Sequence, residues 1–286
     1  MSKTSTLTCR RRPAGITAGK TVPPWLNGGV DIYRLYQLSV QDPPREIRFI
    51  RRTFRNLRGR DPFRLREDFC GTAYLACEWV RRIPGGVAAA VDLDPVPLEY
   101  AREKLLPALG RKASRLSLIQ DDVLRARTFR ADVITAYNFS YFIFKERKRL
   151  AQYFSTARRN LVSDGILFLD IYGGPQAQQI LEESTEHDGF TYVWEQATYN
   201  PITGEMQCYI HFDLPGGKRI RRAFSYNWRL WGLPEIRDLL REVGFREVLV
   251  YWEGTDTETG GGNGVFRLTT RGDDSLSWIA YVVAVK

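Results

Sequence analysis

Three carboxyl side chains stand where predicted strands end. Glu67, Asp92 and Asp122 each close a short run of alternating or apolar residues. Gly71, four residues after Glu67, permits a sharp backbone reversal and a close approach by a ligand. Ligands of open α/β sheets bind outside the carboxyl ends of parallel strands, so we expect these acids to converge at one edge. Carboxylates there suit a neutral or cationic ligand with hydroxyl groups better than a pyrophosphate.

The elements that must position these acids alternate along the chain. Apolar residues at helical spacing predict helices, and short apolar or alternating runs predict strands. The predicted helices are 31–40, 42–57, 72–80, 97–106, 147–161 and 234–243, and the predicted strands are 63–68, 87–91, 116–119, 132–136, 166–171, 248–252 and 278–285. This alternation is typical of an α/β fold.

The strand ends carry a family resemblance over residues 31–286. The run EDFCGTA, residues 67–73, resembles the glycine-containing turn of class I S-adenosylmethionine-dependent methyltransferases. Residues 91–94, VDLD, followed by proline, resemble that family's ribose-binding strand end. Asp122 followed by Val123 resembles the position whose carboxylate accepts a hydrogen bond from the adenine amino group. The chain departs from the pattern at Phe69 and Ala73, which occupy the outer two of three glycine positions.

The resemblance implies a seven-stranded Rossmann-like methyltransferase sheet with helices on both faces, an inserted antiparallel β segment, and S-adenosyl-L-methionine as the cofactor. The residues that it assigns to cofactor binding are Glu67, Phe69, Cys70, Gly71, Thr72, Asp92, Leu93, Asp122, Val123, Tyr137 and Asn138. Arg34 and Arg66 are equal candidates for binding the methionine carboxylate.

Three regions are predicted along the chain. Residues 1–28 lack periodicity and predict a mobile basic tail, and residues 29–62 predict a helical lid. Residues 63–286 form the methyltransferase domain, in which the periodicity changes to two at about 188–229. This antiparallel insertion resembles those of glycine, sarcosine and amino-sugar N-methyltransferases, where it forms part of the acceptor pocket.

Aromatic residues of the lid and the insertion are candidates for binding a small organic acceptor through an N or O atom. They are Tyr33, Tyr36, Trp194, Tyr209, Tyr226 and Trp228. The alternative interpretation, that they only pack in the core, stays open. Methyl transfer requires an aligned acceptor and, if the acceptor is protonated, a base. His211 and Tyr141 are the candidate catalytic residues, and no metal site is predicted.

The charge distribution supports a second hypothesis. The net charge is +9, and the first 66 residues carry 15 Lys and Arg against 4 Asp and Glu. An arginine-rich face on the helix 42–57 is typical of a solvated surface, or it binds an acidic partner such as RNA. The run 137–141 lacks the patterns of enzymes that methylate bases, which favours the small-molecule interpretation. A third possibility is a non-catalytic cofactor-binding protein.

The remaining patterns concern the location of the protein. No apolar run is long enough for a membrane span, and the N-terminal sequence does not resemble a secretory signal. We therefore expect a cytoplasmic protein without a membrane partner, and nothing in the pattern indicates an oligomeric state.

Overall fold

The structure is a computed structural model that describes residues 29–256 and 261–286. The tail predicted for residues 1–28 lies outside the described residues. The helices are α1 (Ile32–Val40), α2 (Pro43–Arg58), α3 (Tyr74–Arg82), α4 (Pro95–Tyr100), α5 (Arg147–Asn160) and α6 (Leu233–Glu242). The strands are β1 (Arg64–Asp68), β2 (Val87–Asp92), β3 (Leu116–Gln120), β4 (Ala131–Ala136), β5 (Leu161–Gly173), β6 (Leu181–His187), β7 (Phe190–Tyr199), β8 (Glu205–Leu214), β9 (Lys218–Arg229), β10 (Glu247–Thr255), β11 (Gly262–Leu268) and β12 (Trp278–Val285).

The two N-terminal helices begin at acidic residues that satisfy free backbone amides. Asp31 Oδ1 accepts the N–H of Arg34 at 2.9 Å, and Asp42 Oδ1 accepts the N–H of Arg45 at 3.1 Å. Two prolines follow Asp42, where a missing N–H is harmless. These caps place the start of both helices as the sequence predicts.

The large sheet has eight strands in the order β11-β10-β12-β5-β4-β1-β2-β3. Strands β3, β2, β1, β4 and β5 are parallel, and β12 is antiparallel to both β5 and β10. The predicted Rossmann-like sheet is confirmed. The eighth strand, β11, was not predicted, because four glycines from 260 to 264 hide its alternation. The strand order reverses between β1 and β4, which places the expected ligand crevice at their carboxyl ends.

A second sheet of four antiparallel strands, β6-β7-β8-β9, lies between β5 and α6 along the chain. It begins at Leu181, whereas the sequence predicts an insertion from about residue 188. The difference arises from β6, whose alternate residues are exposed and polar, so that the strand lacks an apolar period-two signal.

Three apolar clusters hold the layers together. On one face of the large sheet, α5 and α6 contribute residues such as Tyr153 and Leu239. On the other face, α2 and α3 contribute Phe54 and Trp79. Helices therefore cover both faces, as predicted. A third cluster joins Leu35 of α1 to the four-stranded sheet, so α1 packs between the two sheets. Among the described residues, no helix is both long and apolar enough to cross a membrane.

Candidate functional site

The turn after β1 keeps the backbone shape of a glycine turn with only one glycine. Phe69, Gly71 and Ala73 have φ values of 56°, 52° and 54°. This left-handed conformation is costly for residues with a Cβ, so surrounding contacts must hold it. The Phe69 ring contacts Phe144 and Tyr153 at centroid distances of 5.8 and 5.5 Å. The two departures from the family pattern therefore leave the conformation of the turn unchanged.

Glu67 lies at the end of β1 and faces α3. Its Oε2 accepts the N–H of Ala76 at 2.8 Å. Burial raises the pKa of this carboxyl well above its ordinary value, and the nearby acids Glu46 and Asp92 raise it further. Beside it, buried Thr72 accepts a hydrogen bond from the Gln37 side chain at 2.9 Å, which ties α1 to the turn. Cys70 is also buried in this turn.

Asp92 connects the end of β2 to the turn after β1. Its Oδ2 accepts the N–H of Gly71 at 2.6 Å, and its Oδ1 accepts the N–H of Asp94 at 3.0 Å. Burial raises the pKa of this carboxyl as well. Leu93, the next residue, is 69% exposed and leaves an apolar surface open beside the acid. A carboxylate accepts about four hydrogen bonds, and the backbone of Leu93 also donates to Asp92, so the acid retains capacity for about one further donor.

Asp122 follows the neighbouring strand β3. The N–H of Asp121 donates to the carbonyl of Asp92 at 3.0 Å, so the ends of β2 and β3 lie side by side. Asp122 Oδ1 accepts the N–H of Leu124 at 2.9 Å, and its Oδ2 lies 3.5 Å from the Arg149 guanidinium. Val123 is buried. Glu67, Asp92 and Asp122 thus lie at the carboxyl edge of three adjacent parallel strands.

A cavity of about 670 Å³ lies at the carboxyl ends of β4 and β5, and Glu67, Asp92 and Asp122 are not among the residues that line it. The α1–α2 pair, the ends of β4 and β5, the four-stranded sheet and the β10–β11 hairpin form its walls. Of the predicted site residues, five line it: Tyr36, Asn138, Trp194, Tyr226 and Trp228. The Tyr36 side chain hydrogen-bonds Tyr226, whose pKa is raised well above its ordinary value, mainly by burial. The aromatic wall therefore offers two indole rings, of Trp194 and Trp228, and the hydrogen-bonded phenol groups of Tyr36 and Tyr226.

Two other predicted tyrosines lie elsewhere. Tyr33 contacts the Tyr100 ring at 4.9 Å. Burial raises its pKa, and the negative charges of Asp94 and Asp92 raise it further. Tyr33 therefore lies near the acids at the end of β2 instead of lining the cavity. Tyr137 is buried in the core and contacts the Tyr281 ring at 5.3 Å.

His211 and Tyr209 lie on the face of β8 that is turned away from the cavity, which corrects their prediction as base and acceptor contact. Within β8 the cavity is lined by Ile210, and residues on either side of it along a strand point to the opposite face. His211 Nε2 lies 2.7 Å from Glu195 Oε2, and its Nδ1 accepts the N–H of Arg222 at 2.9 Å. Tyr209 packs under the Arg222 guanidinium, 4.5 Å from the ring centroid.

The backbone conformation of Arg222 explains why His211 accepts a backbone N–H. Arg222 has a φ of 52° in a bulge of β9, between the pairs Ile210–Phe224 and Phe212–Ile220. The bulge removes its amide from the ladder, and His211 satisfies that amide. His211 also lies near Glu182 and Glu195, with one ligand atom of each within 4.8 Å of the others. Because Nδ1 accepts a hydrogen bond, Nε2 of the neutral ring carries the proton and is not a metal ligand.

Tyr141 is a structural residue, which corrects its prediction as a catalytic one. It is fully buried, and its hydroxyl donates to the carbonyl of Asp170 at 2.9 Å. Arg66 is likewise removed from the candidates for the methionine carboxylate. It is fully buried and pairs with Asp68 at 2.6 Å, while its other nitrogens bind the carbonyls of Val123 and Ala126. Arg34 remains exposed.

Asp170 of β5 lines the cavity and was missed from the sequence. Its two carboxylate oxygens accept the N–H groups of Asn138 and Phe139 at 2.8 and 2.9 Å. Both of these residues have a φ of 56°, so the acid holds two consecutive left-handed residues after β4. An acid within the apolar run ILFLDIYG is the signal that could have identified it.

Charged side chains of α2 also line the cavity. Arg45, Arg48 and Arg52 lie on one wall, whereas the sequence suggested a solvated face or a partner surface. Glu183 and Glu253 line the same cavity from β6 and β10. The sequence predicts that these arginines share a face of the helix. Which surroundings that face meets depends on how the helix packs against the rest of the protein.

The fold was compared with those of known proteins. No protein-family model matches the chain, and no curated protein matches it. An S-adenosylmethionine-dependent methyltransferase from Clostridium acetobutylicum ATCC 824 superposes with a TM-score of 0.62 at 17% identity, over 88% of this chain and 96% of that one. CalS10, an amino pentose methyltransferase from Micromonospora echinaspora solved with bound S-adenosylmethionine, gives 0.60 at 12% identity, over 89% and 97%.

The sugar N-methyltransferase KedS8 from Streptoalloteichus sp ATCC 53650 gives a TM-score of 0.58 at 19% identity, over 97% of this chain and 98% of that one. All three structures are matched over nearly their full length. The chain has the class I methyltransferase fold.

Proposed function

We propose that the protein transfers a methyl group from S-adenosyl-L-methionine to an N or O atom of a small organic acceptor. One observation carries the proposal: the three strand-end acids and the left-handed turn lie at the same carboxyl edge of the large sheet as Asn138 and Asp170, which line a cavity with an aromatic wall. The structural neighbours include sugar and amino pentose methyltransferases, which supports a small acceptor.

The residues at the strand ends fit the cofactor. A Cβ built on Gly71 meets no atom within 4 Å, so the turn leaves open space beside Asp92. Asp92 has acceptor capacity left for a ribose hydroxyl, and exposed Leu93 offers apolar surface to adenine. Asp122 accepts a hydrogen bond from the adenine amino group.

The cofactor supplies an activated methyl group on a sulfonium, which leaves this chain to align the acceptor and to exclude water. Asp170 holds the backbone of Asn138 and Phe139 at the cavity wall. Trp194 and Trp228 cover the acceptor and exclude solvent. The hydrogen-bonded pair Tyr36 and Tyr226 replaces His211 and Tyr141 as the group that orients the acceptor.

A ligand panel tests the proposal. We expect S-adenosylmethionine and S-adenosylhomocysteine to raise the melting temperature of the full chain, and NAD to leave it unchanged. Asp92→Ala should abolish the shift, whereas Asp188→Ala, the same charge change at an exposed turn, should retain it. A shift with NAD alone would refute the proposal.

An acceptor screen completes the test. Panels of small amines and alcohols are incubated with the protein and cofactor, and release of S-adenosylhomocysteine is measured. Tight cofactor binding without turnover on any acceptor would favour the non-catalytic alternative instead.

One observation favours RNA as a second candidate substrate. A groove between α2 and α3 is lined by five arginines: Arg48, Arg51, Arg52, Arg55 and Arg82. Three of them are already paired, Arg51 and Arg55 with Asp61 and Arg82 with Glu78, which weakens the candidate. RNA binding would show as a gel shift that is lost as the salt concentration rises from about 50 to about 200 mM. With six or more phosphate contacts, the affinity should fall roughly a thousandfold or more over this range.

A further inference from the structure

We propose that the acceptor carries an anionic group, a carboxylate or a phosphate, which binds the arginines of α2 inside the cavity. This inference rests on the proposed function, because it names the chemical class of the acceptor. The observations that carry it are the position of Arg45, Arg48 and Arg52, the lack of an ion pair at Arg48 and Arg52 among the described residues, and the walls around them.

The three arginines share one face of α2. They are spaced by three and four residues, which places them one above the other on consecutive turns. All three line the cavity, together with Phe49 of the same helix. The cavity therefore receives three guanidinium groups from a single rigid element.

The helix separates its arginines into two sets. Arg51 and Arg55, which do not line the cavity, pair with Asp61 at 3.3 and 2.7 Å. Arg45 pairs with Asp42, its own helix cap, at 3.2 Å. Arg48 and Arg52 have no ion pair within residues 29–256 and 261–286. Two of the three arginines that line the cavity are thus left without a carboxylate partner among the described residues.

Two of the three described carboxyl side chains that line the cavity, Asp170 and Glu253, hold backbone amides. Both oxygens of Asp170 accept backbone amides, and Glu253 Oε1 accepts the N–H of Gly264 at 2.8 Å. Guanidinium groups bind carboxylate and phosphate through paired hydrogen bonds, which are stronger in a partly enclosed site than in water. An anionic acceptor would supply the missing counter-charge, and the aromatic wall would cover its apolar part.

Anion binding to the full chain tests the inference. The probes are inorganic pyrophosphate and succinate, titrated by calorimetry in the presence of saturating S-adenosylhomocysteine at constant ionic strength. We expect at least one probe to bind, and its identity distinguishes a phosphate from a carboxylate. The variant Arg48→Gln/Arg52→Gln should bind that probe about tenfold more weakly or worse, because it loses two charge-assisted contacts.

The control is Arg51→Gln/Arg55→Gln, which makes the same charge change on the same helix outside the cavity. It should bind the probe within about twofold of the wild type, because its arginines are outside that wall. S-adenosylhomocysteine should bind all three proteins equally. Failure of the wild type to bind that compound would refute the proposed function and not the anion site.

Three outcomes would overturn the inference. One is the absence of binding of either anion to the wild-type protein. Another is an equal loss in both double variants, together with binding of a short RNA, since the arginines would then serve a surface polyanion. The third is a loss of S-adenosylhomocysteine binding in Arg48→Gln/Arg52→Gln, since the arginines would then bind the methionine carboxylate of the cofactor.

Discussion

At the scale of single residues, the turn after β1 depends on conformation more than on residue type. Phe69 and Ala73 adopt the left-handed backbone that glycine adopts at Gly71. Their side chains face packed surroundings, since Ala73 is fully buried and Phe69 contacts two rings. At Gly71 the space is open. We infer that glycine is required only at the position where the ligand approaches the backbone.

Replacement of this glycine should separate stability from binding. Gly71→Ala should lower the free energy of unfolding by about 1 kcal/mol, the cost of a left-handed alanine. It should also weaken S-adenosylhomocysteine binding about tenfold or more, because a methyl group would enter the open space. Gly59→Ala is the control: its φ is 68° and a Cβ there also meets no atom. Urea unfolding and calorimetry compare the two, and equal binding by both variants would contradict the assignment.

Glu67 gives a pH dependence of known sign. Burial raises its pKa, so at pH values between the unfolded and folded pKa the folded protein keeps a proton that the unfolded chain has lost. Its contribution to stability is complete below the unfolded value and falls as pH rises. Glu67→Gln keeps an acceptor for the Ala76 amide and removes the titration.

The variant should therefore match the wild type at about pH 4 and become progressively more stable than it as pH rises. Urea unfolding at a series of pH values measures this difference. Glu186→Gln, at an exposed position of β6, repeats the charge change outside the core. A constant difference between Glu67→Gln and the wild type across the series would count against a buried, proton-holding Glu67.

At the scale of elements, two aspartates each accept two backbone amides, one pair beyond the end of β4 and the other at the start of β1. Asp170 accepts the amides of Asn138 and Phe139 after β4, and Asp132 accepts those of Phe63 and Arg64 at the start of β1, both at 2.8 Å. Only the first pair faces the cavity. The same contact thus serves the site at one edge of the sheet and the scaffold at the other.

Asp170→Asn and Asp132→Asn should both destabilise the protein by about 1–3 kcal/mol, because an amide nitrogen replaces an oxygen that accepts a backbone N–H at Asp170 and the Arg60 guanidinium at Asp132. Only Asp170→Asn should lower turnover, about tenfold or more, since it releases the residues at the reaction centre. Turnover of the acceptor from the screen and thermal unfolding measure the two effects. Normal turnover in Asp170→Asn would refute its positioning role.

At the scale of the whole molecule, the cavity exists because two sheets meet around α1 and α2. The four-stranded sheet contributes the aromatic wall, the large sheet contributes the strand ends, and the helices contribute Tyr36 and the arginines. Under the proposed function, acceptor binding therefore depends on an interface between layers, whereas cofactor binding depends on the large sheet.

Trp194→Ala should raise the KM for the acceptor about tenfold, because it removes a large apolar surface from the wall, and leave S-adenosylhomocysteine binding within about twofold. Trp252→Ala is the control, since Trp252 is also partly buried but packs against Trp278 at a centroid distance of 4.7 Å and does not line the cavity. Steady-state kinetics and calorimetry compare the variants. A parallel loss of cofactor binding in Trp194→Ala would contradict the separation.

The sequence by itself determined the order of the elements, the strand-end positions of Glu67, Asp92 and Asp122, and the glycine turn. These features are local, because a strand end and a helix cap depend on residues a few positions apart. The α/β fold followed from them together with the family resemblance. The missed strands β6 and β11 show the converse, since polar or glycine-rich residues hide the period of two.

Only the tertiary structure decided which side chains face the cavity. His211 lies one residue from Ile210 and faces the other way, and a bulge in the neighbouring strand gives it an amide to accept. Asp170 and the α2 arginines became part of the wall through packing between layers. The direction of a side chain depends on strand register and helix docking, which bring together residues distant in sequence, so the local pattern does not specify it.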